Sequence, residues 1–112
     1  MIIPCQTEQD FQQLLADSET NPVLLLKHST RCPISAGAQA RYSRFAEEHP
    51  DIACWQVLVI EQRAISNLIA TETGIMHQSP QVILFQHTKP VWHVAHHSIN
   101  ESAMTTALTS GK

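Results

Sequence analysis

Cys32 stands between a bounded apolar run, Val23 to Lys27, and Pro33, which opens a stretch patterned as a helix. A sulfur at such a junction lies where unpaired N–H groups and the helix dipole favour an anion, so the thiolate gains on the thiol. Pro33 suits the first helical position, where its missing N–H costs nothing. Ser35, three residues on, could donate its hydroxyl to the sulfur, and Arg31 brings positive charge next to it. A stabilised thiolate attacks a disulfide through a mixed-disulfide intermediate and is also a good leaving group. The chemistry expected of Cys32-Pro33-Ile34-Ser35 is therefore thiol–disulfide exchange, with Cys32 as the catalytic residue. The competing reading is a buried cysteine acting as a small apolar side chain, against which the polar flank His28-Ser29-Thr30-Arg31 argues.

Ser35 decides the kind of exchange. A cysteine there would close an internal disulfide and release a reduced target in one visit, which serine cannot do. An adduct on Cys32 must then be resolved by another thiol molecule or a partner protein, which defines a monothiol cycle. The bland reading of Ser35 is an ordinary first-turn hydrogen-bonding serine. Of the three cysteines, Cys54 lies in the strand-like Ile52-Ala53-Cys54-Trp55 and reads as buried and inert. Cys5, near the start of the chain, could be a mobile exposed thiol that resolves Cys32, but this is the minor reading, since sequence does not give its distance from Cys32.

The elements that must position these residues follow from periodicity. Thr7 caps a helix carrying Phe11, Leu14 and Leu15, which Asn21-Pro22 stops. Val23 to Lys27 is a buried strand, and Ile34, Ala38, Tyr42 and Phe45 mark a helix from Pro33 to about His49-Pro50. Ile52 to Ile60 is a second strand, and Ile65, Leu68 and Ile69 mark a third helix closed by Gly74. Gln81 to Gln86 and Val91 to Ala95 form a hairpin through His87-Thr88-Lys89-Pro90. Ser98-Ile99-Asn100-Glu101 reads as a capping box for a last helix with Ala103, Ala107 and Leu108. The expected order is αβαβαββα, an α/β fold with a mixed four-stranded sheet and helices on both faces, in a single domain over residues 1–112.

With the order in place, Cys32-Pro33 at a strand-to-helix junction and Ser79-Pro80 just before a strand resemble the thioredoxin-like fold. More closely, His28-Ser29-Thr30 before Cys32-Pro33-Ile34-Ser35, then Ile65-Ser66-Asn67 and Gly74, then His77, Ser79-Pro80-Gln81 and His97-Ser98-Ile99 resemble the monothiol bacilliredoxin family. The resemblance implies that Pro80 is cis and faces the cysteine, leaving the backbone of Ser79 to pair with an extended substrate. It makes Thr30 and Arg31, together with Ser79 and Pro80 in the segment from Met76 to Pro80, walls of a substrate groove. It implies an enzyme that removes bacillithiol, or an equivalent low-molecular-weight thiol, from S-thiolated client proteins, with that thiol as co-substrate and no bound cofactor. The alternative is a non-catalytic thioredoxin-fold redox sensor or stress-response binding module, whose cysteine is modified without turnover.

Composition narrows the field further. A net charge of −3 with seven Lys and Arg supplies no basic patch for nucleic acid, and no apolar stretch reaches the roughly 18 residues of a membrane span. The opening Met1-Ile2-Ile3-Pro4 has no signal-peptide pattern, so the expectation is a soluble cytoplasmic protein, and an odd cysteine count fits a reducing compartment. Among the seven histidines, strand alternation puts His93 and His97 on one face and His96 on the other, so no metal site is expected. Trp55 and Trp92 read as packing residues.

Overall fold

The computed structural model describes residues 1–110, so residues 111 and 112 of the expected 1–112 span lie outside the described residues. The order is β1 (Ile2–Pro4), α1 (Glu8–Asp17), β2 (Val23–His28), α2 (Pro33–Glu48), β3 (Ala53–Leu58), α3 (Arg63–Thr73), β4 (Gln81–Gln86), β5 (Lys89–Ala95), a 3₁₀ turn (His96–Ser98) and α4 (Glu101–Ser110). The sheet has five strands, ordered β1-β3-β2-β4-β5, rather than the expected four. The extra strand is Ile2–Pro4, which pairs parallel with β3 from Ile2↔Cys54 to Pro4↔Gln56. It escapes sequence patterning because it is three residues long and ends in a proline, which an edge strand tolerates.

β2 lies at the centre, parallel to β3 and antiparallel to β4, and β5 pairs antiparallel with β4. Alternation along β2 divides the core. Leu24 and Leu26 face Tyr42, Phe45 and Met104 from α2 and α4, while Val23 and Leu25 face Phe11, Leu14 and Ile69 from α1 and α3. The same alternation sends Lys27 toward α3 and His28 toward α2.

Caps explain most element ends. The Thr7 side chain accepts from Asp10 N–H at 3.0 Å while the Asp10 carboxylate accepts from Thr7 N–H at 3.1 Å, a reciprocal box opening α1. Gly74 closes α3 at φ 71, a left-handed conformation that favours glycine. The last helix corrects the expected Ser98 cap: Ser98 lies in the 3₁₀ turn, and Asn100 Oδ1 accepts from Ala103 N–H at 2.8 Å instead. Burial of Ile99 in the core shifts the helix start past the serine.

The hairpin turn is tighter than the expected four-residue connection, with only His87 and Thr88 between β4 and β5, at φ 54 and φ 66. The positive angles suit a primed turn that matches strand twist, but a β-branched threonine is an unfavourable occupant. The end of α1 holds the turn, since Ser18 accepts His87 N–H on its carbonyl at 2.7 Å and Thr88 N–H on its hydroxyl at 2.9 Å. Placing Asn-Gly at positions 87 and 88 is expected to raise stability by about 1 kcal/mol. Denaturant unfolding would show this as a higher midpoint at unchanged slope, and a lowered midpoint would refute it.

Candidate active site

Parallel strands β1, β2 and β3 end at one pole of the sheet, and β4 starts there. β2 stops at His28, Ser29 to Arg31 turn the chain, and Cys32 caps α2 in an extended conformation (φ −114, ψ 120) with Pro33 at the first helical positions. Cys32 N–H donates to Ser29 C=O at 3.4 Å, and Cys32 C=O accepts Ala36 N–H at 3.0 Å, closing the first helical turn. The Cys32 side chain makes no capping hydrogen bond and is partly exposed, beside the exposed Pro33 and Ile34. The sulfur thus meets solvent at the start of a sixteen-residue helix, whose first N–H groups carry the positive end of the dipole.

Ser35 corrects the donor role read from spacing. It is fully buried, its Oγ accepts Ser29 N–H at 2.9 Å, and the same Oγ lies 2.8 Å from His28 Nδ1. The hydroxyl therefore fastens the first turn of α2 to the end of β2 and is not spent on Cys32. His28, read as part of an open polar flank, is 7% exposed. Burial holds its pKa below the ordinary histidine value, with Glu61 and a hydrogen bond to the Ser35 backbone acting in the opposite sense. Its neighbours Thr30 and Arg31 are exposed, and Thr30 Oγ1 donates to Glu61 Oε2 at 3.0 Å.

The other side of the pole comes from the segment before β4. Ser79-Pro80 is cis; Pro80 is buried, Ser79 half-buried, and Pro80 C=O accepts His96 N–H at 3.0 Å. Gln81 pairs with Lys27 across β2 and β4, and its side chain donates to Met76 C=O at 3.2 Å. Fully buried Lys27, read from sequence only as the end of an apolar strand, reaches His77 Nδ1 at 3.2 Å. Thr30, Arg31, Ser79 and Pro80 thus lie at the same pole as Cys32, and Lys27 and His77 join them.

The other thiols are placed differently. Cys5 is 1% exposed and packed among Phe11, Leu14 and Trp55, because β1 draws it onto the sheet, which removes the minor reading of a mobile resolving thiol. Burial, aided by Asp10, pushes its thiol up to about 12. Cys54 is buried as expected, and burial pushes its thiol up to about 11 despite a hydrogen bond from Tyr42 and the N-terminal ammonium. Neither is a thiolate near neutral pH. Among the described residues no group of three His, Cys, Asp or Glu side chains is arranged to hold a metal ion. The histidine alternation fails at His96, which leaves the strand at φ 57 to begin the 3₁₀ turn. No helix among the described residues is long and apolar enough to cross a membrane.

Comparison with known proteins assigns the family. The family described as monothiol bacilliredoxin BrxC matches residues 3–104. The chain belongs to the monothiol bacilliredoxin family. A solved structure described as a candidate oxidoreductase with a thioredoxin fold is 33% identical, at a TM-score of 0.86 over 95% of this chain and 92% of the other. The thioredoxins of Malassezia sympodialis and Fasciola hepatica share the fold at 17% and 15% identity, with TM-scores of 0.77 and 0.78. They cover 98% of this chain in both cases and 90% and 99% of their own. The chain is a thioredoxin-fold thiol oxidoreductase of the bacilliredoxin family.

Ser35→Cys is a direct probe of that arrangement. Its sulfur, three residues along the first turn from Cys32, is expected to form an internal disulfide on oxidation, seen as a loss of two hydrogens in the intact mass. The reduced variant should lose about 1 kcal/mol, because a thiol accepts Ser29 N–H less well than the hydroxyl does. An oxidised variant that forms only intermolecular adducts would contradict the shared helical turn.

Proposed function

We propose that the chain removes a low-molecular-weight thiol of the bacillithiol type from protein mixed disulfides, with Cys32 as nucleophile. The Cys32 thiolate attacks the sulfur of the small thiol in the client's mixed disulfide. A bond forms between Cys32 and that sulfur, and the client leaves as a thiolate that takes up a proton from solvent. A second small-thiol molecule, as its thiolate, attacks the adduct. It forms a low-molecular-weight disulfide and returns the Cys32 thiolate, so one free small thiol is consumed, the client regains its thiol, and the disulfide passes to the pair of small thiols. The carrying observation is a partly exposed Cys32 at the head of α2, with Ser35 buried in its own hydrogen bonds and the other two thiols sequestered.

Within this reading Thr30, Arg31, Ser79 and Pro80 line the groove that receives client and thiol, and Pro33 and Ile34 form its exposed helical lip. The cycle needs a supply of reduced small thiol, which fits a reducing cytoplasm. Incubation of an S-thiolated client with catalytic chain and excess bacillithiol should restore the client thiol over many turnovers. Release of no more than one client thiol per chain would favour a modified sensor instead.

A further inference from the structure

Lys27 is a cation without an anion. It is fully buried on the central strand, and its Nζ meets the neutral ring of His77, with no carboxylate in contact among the described residues. Buried ammonium groups are ordinarily paired, since removing a charge from water is costly. Its pKa is lowered to about 8 by burial, so it still carries its proton near neutral pH. Exchange at Cys32, as described above, makes no use of it.

The pairing has a consequence for the ring. An ammonium has three donors and no acceptor, so the contact with Nδ1 requires that nitrogen to hold its lone pair. The ring proton then sits on Nε2. Ser66 Oγ lies 3.4 Å from the same Nδ1, so both inward contacts fall on that atom, while His77 as a residue is exposed. Burial together with the charges of Lys27 and Arg63 lowers the His77 pKa, which keeps the ring neutral. His77 thus presents an N–H donor, backed by two cations, two residues before Ser79 in the segment that leads into β4.

We propose that His77, held by Lys27 in its Nε2–H form, recognises a carboxylate of the small thiol that Cys32 exchanges, with Lys27 as the positioning residue. This rests on the exchange reading and adds a substrate class to it. The Lys27 ammonium, which has no carboxylate in contact among the described residues, favours an anionic ligand over a neutral one at His77. A carboxylate accepting from Nε2–H supplies the missing negative charge without displacing the Lys27 contact.

The test compares two symmetric disulfides as substrates for the reduced chain, 3,3′-dithiodipropionate and 2-hydroxyethyl disulfide. Each rate is divided by that of a small free thiol with the same disulfide. The native chain is expected to favour the dicarboxylate about fivefold, the scale of one partly exposed charge-assisted contact. His77→Phe and Lys27→Met should bring the ratio near one, whereas His77→Gln, which keeps an outward amide donor, should retain part of it. In ¹⁵N NMR of the native chain His77 should show the Nε2–H form, and Lys27→Met should move it toward the mixture of a free imidazole. An Nδ1–H ring in the native chain, a native ratio near one, or a ratio unchanged by His77→Phe would overturn the proposal and leave exchange standing. Failure of Cys32 to react with either disulfide would overturn both.

Discussion

Cys32→Ser is expected to reduce exchange by on the order of 10³-fold or more, to the level that binding without a nucleophile supports. Serine keeps the size and polarity of the side chain, but its oxygen forms no mixed disulfide. The same change should leave the fold intact and raise stability by up to about 1 kcal/mol, because serine is a strong N-cap and the native cysteine makes no capping bond. Loss of activity with equal or greater stability separates a chemical role from a packing role. Cys54→Ala should do the reverse, keeping exchange while lowering stability by about 1 kcal/mol through lost core packing. Rates with a mixed-disulfide substrate and denaturant midpoints, measured on both variants, check the two halves. Substantial exchange by Cys32→Ser would move the chemistry to another group.

Lys27→Met should make the protein more stable near neutral pH, by about 2 kcal/mol, because it removes an uncompensated buried charge and fills the same space. The melting temperature should rise by on the order of 10 °C. The pH dependence fixes the cause. Lys27 has its pKa lowered from 10.5 to about 8 in the folded chain, so between these values the unfolded chain binds more protons and native stability rises with pH. The lysine's own contribution to that rise should be about 1 kcal/mol from pH 8 to 9. From about pH 8 upward the Cys5 and Cys54 thiols, raised from 9.0 to about 12 and about 11, act in the opposite sense, since the unfolded chain ionises them first. The difference between native chain and variant therefore isolates the lysine: Lys27→Met should lose stability from pH 8 to 9 through the two thiols, while the native chain offsets that loss. A variant that is less stable than the native chain at pH 7 would show that the His77 contact outweighs the cost of burying the ammonium.

The helices and the central strands were legible because their apolar residues repeat at the spacing of the face they bury, as Ile34, Ala38, Tyr42 and Phe45 do on α2. Cys32-Pro33 was legible because a proline at a helix start announces itself locally. Direction was not. Spacing brings Ser35 to the first turn but does not say whether its hydroxyl points at the sulfur or back to Ser29 and His28, a matter settled by packing against β2. The burial of Cys5 was not legible because nothing in Ile2-Ile3-Pro4 signals a strand; it depends on pairing with β3, about fifty residues away.

Lys27 was hidden for a related reason. A lysine at a strand end ordinarily carries its charge out to water, and its partner His77 lies fifty residues further along the chain. The one available signal was that Lys27 follows four consecutive apolar residues, Val23 to Leu26, a run that marks a strand covered on both faces. Ser98 and Asn100 are both good caps, and only the depth of Ile99 chooses between them.

The most direct test of the account is to trap the intermediate. The reduced chain would be mixed with an S-thiolated client, quenched with acid after a fraction of a turnover, and digested for mass spectrometry. The account predicts one small-thiol adduct, on the peptide carrying Cys32, appearing together with free client thiol and disappearing when fresh small thiol is added. An adduct on Cys5 or Cys54, or client release with Cys32 left unmodified, would contradict it.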